Sequence, residues 1–161
     1  MNTEIERKFL PKELPDLSGL KKSVLERHFL FNQNGIELRI QTNGEWYKLL
    51  RKTSVSPTER NVEEISLSKA EFDVLKTYSI SSISRESYHL ADSPKTDIRL
   101  YGGAFEGLVR VEFEFPSQEE SHMFRIPDWV GAEITGSPLA RDSQLLELTP
   151  EEFKTELGRY R

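Results

Sequence analysis

The chain contains no cysteine, which removes disulfides, cysteine-ligated zinc or iron–sulfur sites, and a thiol nucleophile. It has no apolar run near the roughly 18 residues of a membrane span, and its start, MNTEIERK, is polar and charged. Neither a transmembrane helix nor a signal peptide is therefore expected. An excess of basic charge is also missing: 22 basic side chains face 27 acidic ones, for a formal net charge of −5. That argues against a nucleic-acid coat, though not against a small anion held in an internal basic site. What remains is 161 residues, 36% hydrophobic and 30% charged, the make-up of one globular domain over 1–161, with the cytoplasm as its default location.

Familiar chemical signatures are absent too. Gly102 to Gly107 has the spacing of a phosphate-binding loop, but Leu108 and Val109 follow where a lysine and a hydroxyl are needed. No dinucleotide-binding glycine pattern occurs. His28, His89 and His122 stand apart and form no paired zinc motif, so each reads as a surface or structural histidine. There is no G-x-S-x-G nucleophile turn. Serine hydrolases and zinc peptidases are thereby set aside.

What the sequence has in abundance is alternation. Successive strand residues point to opposite faces, so each segment sorts into two faces by parity. In the first segment Glu4, Glu6 and Lys8 share one face, and Ile5, Arg7 and Phe9 the other. Strands are predicted over Val24 to Phe31, after a turn from Leu17, and over Ile36 to Gln41, with Asn43-Gly44 as a hairpin leading into Trp46 to Lys52. Ser54 to Glu59 reads as a loop and Asn61 to Leu67 as a strand. Ser68 and Glu71 form a capping box that opens a helix with Phe72, Leu75 and Tyr78 inward. Strands follow over Ile83 to Leu90, Lys95 to Tyr101 and Leu108 to Phe115, the last with Val109, Val111, Phe113 and Phe115 opposite Arg110, Glu112 and Glu114. A capped helical stretch over Ser117 to Phe124, a short strand over Ala132 to Thr135 and two C-terminal helical pieces, the second opened by Thr149 and Pro150, complete the pattern.

Many strands with few short helices predict an α+β domain built on an antiparallel sheet. Several strands carry ionisable groups of both signs opposite an apolar face. Two arrangements account for this: a sheet with one wet face, or a barrel with a polar lumen and an apolar exterior covered by helices.

Glu4-x-Glu6-x-Lys8 places two carboxylates and an ammonium on one strand face, a set that can hold a hard divalent cation and the phosphate oxygens sharing it. An exposed edge strand would also explain it. Glu112-x-Glu114 repeats the paired carboxylates in a strand with a strongly apolar opposite face, and the two pairs together would make an oxygen-only site suited to Mg²⁺ or Mn²⁺.

With these motifs the sequence resembles the CYTH domain proteins, also called triphosphate tunnel metalloenzymes, which include class IV adenylate cyclases, thiamine triphosphatases and inorganic triphosphatases. EIERKFL, IELRI, Lys52, VEEISL, VEFEF and WVGAEIT fall in family order from Glu4 to about Leu145. The resemblance implies a closed antiparallel β-barrel, a tunnel with polar lumen and peripheral helices, that binds a triphosphate and metal. It implies Glu4, Glu6, Glu112 and Glu114 as metal ligands and Lys8, Arg39, Lys52 and Arg85 as phosphate-binding cations. Arg60 and Arg141 are weaker candidates, and Glu64 and Glu133 are further tunnel acids.

The chain departs from the family at Gln41, where a second arginine is usual, at Val62, where an acid is usual, at Ser87, where a cation is usual, and at Arg99, which stands for an inward aspartate. Arg99 and Arg110 are expected to point into the lumen and to replace the cations absent at Gln41 and Ser87. The resemblance thus implies a Mg²⁺- or Mn²⁺-dependent hydrolase of inorganic tripolyphosphate or a nucleoside triphosphate. The alternatives are a non-catalytic triphosphate-binding module and, third, an adenylate cyclase. The partner is a small-molecule triphosphate, without nucleic acid or membrane, and a homodimer is allowed.

Overall fold

The computed structural model describes residues 2–161. Nine strands run in one sheet: β1 (Asn2–Pro11), β2 (Lys22–Gln33), β3 (Ile36–Thr42), β4 (Tyr47–Ser54), β5 (Glu59–Leu67), β6 (Ser81–Asp92), β7 (Lys95–Tyr101), β8 (Val109–Phe115) and β9 (Val130–Glu133). Four helices accompany them: α1 (Lys69–Lys76), α2 (Gln118–Met123), α3 (Asp142–Leu145) and α4 (Pro150–Arg159). The sheet order is β5-β4-β3-β2-β6-β7-β8-β1-β9, and β5 also pairs with β1. That extra pairing, with Glu4 opposite Arg60, closes eight antiparallel strands into a barrel and leaves β9 outside it. Closure removes the edges that a polar, two-faced sheet would otherwise expose.

Local chemistry explains the turns. Gln33 pairs with Ile36, so Asn34-Gly35 is a two-residue hairpin. Their φ values of 53° and 74° are those of the mirror-image turn that Asn-Gly favours. The predicted Asn43-Gly44 hairpin is instead a four-residue loop, since Thr42 pairs with Tyr47. Asn43 Oδ1 accepts from the Glu45 and Trp46 amides, and Thr42 Oγ1 donates to the Trp46 carbonyl. Side-chain bonds here satisfy the backbone that a tight turn would have paired.

The apolar side chains form two bodies. On the outer face of β1 and β8, Ile5, Phe9, Val111, Phe113 and Phe115 pack with Val130, and Phe124 beyond α2 covers them. At one end of the barrel, Leu10, Phe29, Ile83, Tyr101 and Leu108 turn inward and meet Leu139, Leu145, Phe153 and Leu157 from the C-terminal segment. Each such fully buried side chain contributes about 1.5–3 kcal/mol, and together they seal this end. Ser68 and Thr149 cap α1 and α4 with complete capping boxes. Phe72 of α1 is buried, with its ring centroid 5.1 Å from that of Tyr47. Tyr78, expected inward, is 70% exposed, because α1 ends at Lys76 before its apolar stripe can reach that position. The last strand is Val130–Glu133 rather than 132–135: it pairs with β1 at Pro11 and Phe9. There Gly131 is required, since a Cβ would lie 2.9 Å from the Leu10 carbonyl oxygen. Among the described residues no helix is long and apolar enough to cross a membrane.

Candidate active site

Parity places the polar residues of the closed barrel in its lumen, above the apolar seal. The cavity there is about 240 Å³ and is lined by ten cationic and six acidic side chains, in a chain whose net charge is negative. Every barrel strand supplies a cation: Lys8, Arg27, Arg39, Lys52, Arg60, Arg85, Arg99 and Arg110, from β1 to β8 in turn. All but Arg99 are buried. Buried cations are tolerated only where paired and hydrogen-bonded, and their partners define the site.

Next to the seal, Asp142 accepts from Arg27 Nη1 at 2.7 Å, Arg110 Nη2 at 3.1 Å, Arg85 Nη1 at 3.3 Å and the Tyr101 hydroxyl at 2.5 Å. Burial opposes its ionisation, but Arg85, Arg27 and Arg110 outweigh burial and hold it well below the carboxylate range. Burial likewise raises the Tyr101 hydroxyl to about 12. Glu37 takes Arg39 at 3.0 Å and Arg60 at 3.4 Å, and the Ser143 hydroxyl donates to it. Its pKa is about 2: burial pushes it up, and Arg39 and Arg60 more than offset that. Arg39 Nε and Arg85 Nε, both buried, have no partner among the described residues. These are donors left over for an incoming anion.

Farther from the seal the acids gather. Glu6 lies between Glu4 and Glu112, with Lys8 Nζ at 3.1 Å. Burial first, and then the adjoining Glu4 and Glu112 carboxylates, push Glu6 above its usual range against the pull of Lys8. Glu4 is 2.6 Å from Lys52 Nζ. Despite burial it is lowered, through Lys52, the shared Glu6 hydrogen bond and Arg60. Lys52 drops to about 7 because burial and the like charges of Arg60 and Arg39 outweigh Glu4. Glu112 spends its oxygens on Arg110 at 2.8 Å and Arg99 at 3.1 Å. Glu114, at the rim, pairs with Lys95 at 3.3 Å.

The barrel therefore brings Glu4, Glu6, Glu112, Glu114, Lys8, Arg39, Lys52, Arg85, Arg99 and Arg110 to one cavity. Among the described residues, however, no three acidic or histidine side chains are gathered closely enough to hold one ion. The donor set that fits a hard cation is the Glu4–Glu6 pair: Mg²⁺ typically takes one or two carboxylates and completes its shell with water and substrate phosphate. Arg60, Glu64 and Arg141 also line the cavity. Glu133 does not: it lies on β9, outside the closed barrel, and pairs with Arg7 at 2.9 Å. Arg99 stands across from Ser87. Gln41 accepts from Arg27 Nε at 3.0 Å, so the cation at that place is Arg27 rather than Arg110.

Arg27, Glu37, Asp97 and Asp142 were not singled out by sequence. Parity carries a signal for two of them, since Glu37 and Asp97 share their faces with Arg39 and Arg99; Arg27 shares parity with Leu25 and Phe29, which reads as an apolar face. Asp142, in a four-residue helix, has no periodic signal.

No family model matches the chain. It is 29% identical to the inorganic triphosphatase of Nitrosomonas europaea over 83% of this chain and 89% of that protein. It is also 29% identical to the inorganic triphosphatase of Acetivibrio thermocellus, over 96% of this chain and 99% of that protein. The fold is similar to the crystal structure of the inorganic triphosphatase NE1496, with a TM-score of 0.65 and 28% identity, covering 93% of this chain and 98% of the other.

Proposed function

We propose that this chain is a member of the CYTH, or triphosphate tunnel, family, that it is a triphosphatase, that its lumen is the active site, and that inorganic tripolyphosphate is its substrate. The observation that carries this reading is the ring of eight cations, one from each barrel strand, set beside a carboxylate pair in a cavity sealed at one end. A linear, multiply charged anion is what such a ring neutralises, and guanidinium-to-phosphate bonds are among the stronger polar contacts. The cavity favours the inorganic chain over a nucleotide. At about 240 Å³ it falls below the roughly 300–1,000 Å³ of sites for drug-sized molecules, and among the described residues no aromatic side chain lines it to stack a base. The same facts speak against an adenylate cyclase.

In the proposed reaction, water attacks the terminal phosphorus in line and diphosphate leaves. The chain's own groups position the phosphates and spread their charge, which is most of what phosphoryl transfer asks of a protein. Arg39 and Arg85 offer their free Nε donors, and Lys8, Lys52, Arg60, Arg99 and Arg110 surround the remaining oxygens. Glu4 and Glu6 would hold Mg²⁺ or Mn²⁺ in exchange for their contacts with Lys52 and Lys8, with Glu112 and Glu114 close by and likewise engaged with cations. When bound, the ion would supply Lewis-acid stabilisation of phosphate charge. Wild-type protein assayed against tripolyphosphate, ATP and other triphosphates, with Mg²⁺, with Mn²⁺ and with chelator, tests the reading. Metal-stimulated phosphate release, highest for tripolyphosphate, is expected. Tight binding without release from any triphosphate would instead favour a binding module, which the charges missing at Gln41, Val62 and Ser87 make the competing reading.

A further inference from the structure

The cations nearest the seal share one support. Lys8 Nζ donates to the Ala140 carbonyl at 2.9 Å and Arg110 Nη1 to the Leu139 carbonyl at 3.1 Å. Ser143 bonds Glu37, the partner of Arg39 and Arg60. Between these contacts sits Asp142, whose side chain has no exposed surface. Its Oδ2 takes Arg27, and its Oδ1 takes Arg110, Arg85 and Tyr101. A stretch of five residues thus reaches, from beneath, cations rooted in six different strands.

Three guanidinium groups drawn to one small buried volume repel one another. The strain is visible at Arg27, whose grip on its proton is weakened by burial and by Arg39 and Arg85. One carboxylate in their midst offsets the repulsion and sets their directions through hydrogen bonds. Asp142 is also fixed in place: Leu139 and Leu145 on either side of it are fully buried in the seal. The arginines are consequently held from below, while Arg85 Nε has no partner among the described residues.

The structure assigns Asp142 as a positioning residue that fixes Arg27, Arg85 and Arg110 as a three-pronged seat for the innermost phosphate group of a linear triphosphate. Arg27 thereby becomes a substrate-binding residue, and the sealed end becomes a stop against which the chain lodges end-on. This rests on the lumen holding a triphosphate, as proposed above. The opposite role is also chemically coherent: Asp142 could be an internal competitor that occupies the seat until substrate displaces it. Its burial between packed residues argues for the support, and the two roles predict opposite signs.

The test is Asp142→Asn, with tripolyphosphate binding measured by metal-free calorimetry and KM and kcat measured with Mg²⁺, all well below the variant's melting temperature. Loss of the support should raise Kd and KM together by roughly tenfold to a hundredfold, the scale of losing one charge-assisted hydrogen bond, and lower kcat less. Unchanged Kd and KM with a lower Tm would make Asp142 merely structural, and tighter binding would make it a competitor. Either result overturns the assignment. If Asp142→Asn does not fold, Tyr101→Phe removes one donor without changing charge and should weaken binding several-fold; unchanged binding would again overturn it. Absence of phosphate release by wild-type protein would defeat the hydrolase reading alone, since the Kd comparison does not depend on turnover.

Discussion

Around Asp142, three arginines and a tyrosine hydroxyl enclose one carboxylate, whereas around Glu6 two further carboxylates, Glu4 and Glu112, gather, each with cations of its own. Both regions are built on the same eight strands and lie within one cavity. The first is short of negative charge and its carboxylate is firmly ionised; the second gathers three carboxylates among their cations, and burial with its neighbours pushes Glu6 toward its protonated form. A lumen polarised in this way has a direction. Its sealed end suits an anion and its outer part a hard cation, so a metal-bound triphosphate would satisfy both at once.

The largest blow to this contrast should come from Arg110→Ala. Arg110 is 1% exposed and bridges Glu112 to Asp142, so its removal leaves two buried acids short of a partner. A loss of about 3–5 kcal/mol of stability is expected, read from the denaturant midpoint, and a loss below about 1 kcal/mol would show that the network relaxes freely. Arg99→Ala should act differently. Arg99 is more exposed and reaches Asp97 and Glu112 from the mouth. It should cost little stability but weaken tripolyphosphate binding by about 1.5–3 kcal/mol in calorimetry; unchanged affinity would return it to the class of solvated charges.

A third expectation sharpens the outer region through pH. Burial and the nearby Arg60 and Arg39 hold Lys52 at about 7 in the folded protein, against about 10.4 in an unfolded chain. Between those values the unfolded chain binds the extra proton, so this group makes stability rise with pH across that window; below about 7 the charged lysine carries its full burial penalty. An anion beside Lys52 favours its charged form. Tripolyphosphate binding at pH 8 should therefore take up protons, which calorimetry in two buffers of different ionisation heat would detect. The smallest effect is expected at the rim: Lys95 and Glu114 form a half-exposed pair, and Lys95→Ala should change stability by no more than about 1 kcal/mol.

Alternation made much of this legible before any coordinates. It sorted Glu4, Glu6, Lys8, Arg39, Glu112 and Glu114 onto shared polar faces, because a strand's side-chain period is fixed by its backbone. Periodicity could not decide between a wet sheet face and a lumen, since that depends on the β1–β5 pairing between residues more than fifty positions apart. The same distance problem hid Glu133, whose strand pairs with β1 from outside the closed ring. Asp142 was invisible for another reason: a single acid in a four-residue helix carries no pattern, and its role comes wholly from where the chain's end packs.

The most direct test of the polarised lumen is Glu6→Gln, assayed for phosphate release from tripolyphosphate with saturating Mg²⁺ or Mn²⁺ and, in parallel, for metal-free tripolyphosphate binding. Loss of one carboxylate from a cation site removes both charge and geometry, while the arginines at the sealed end stay intact. Release at the background rate with binding retained is the predicted result. Release at the wild-type rate would contradict the account.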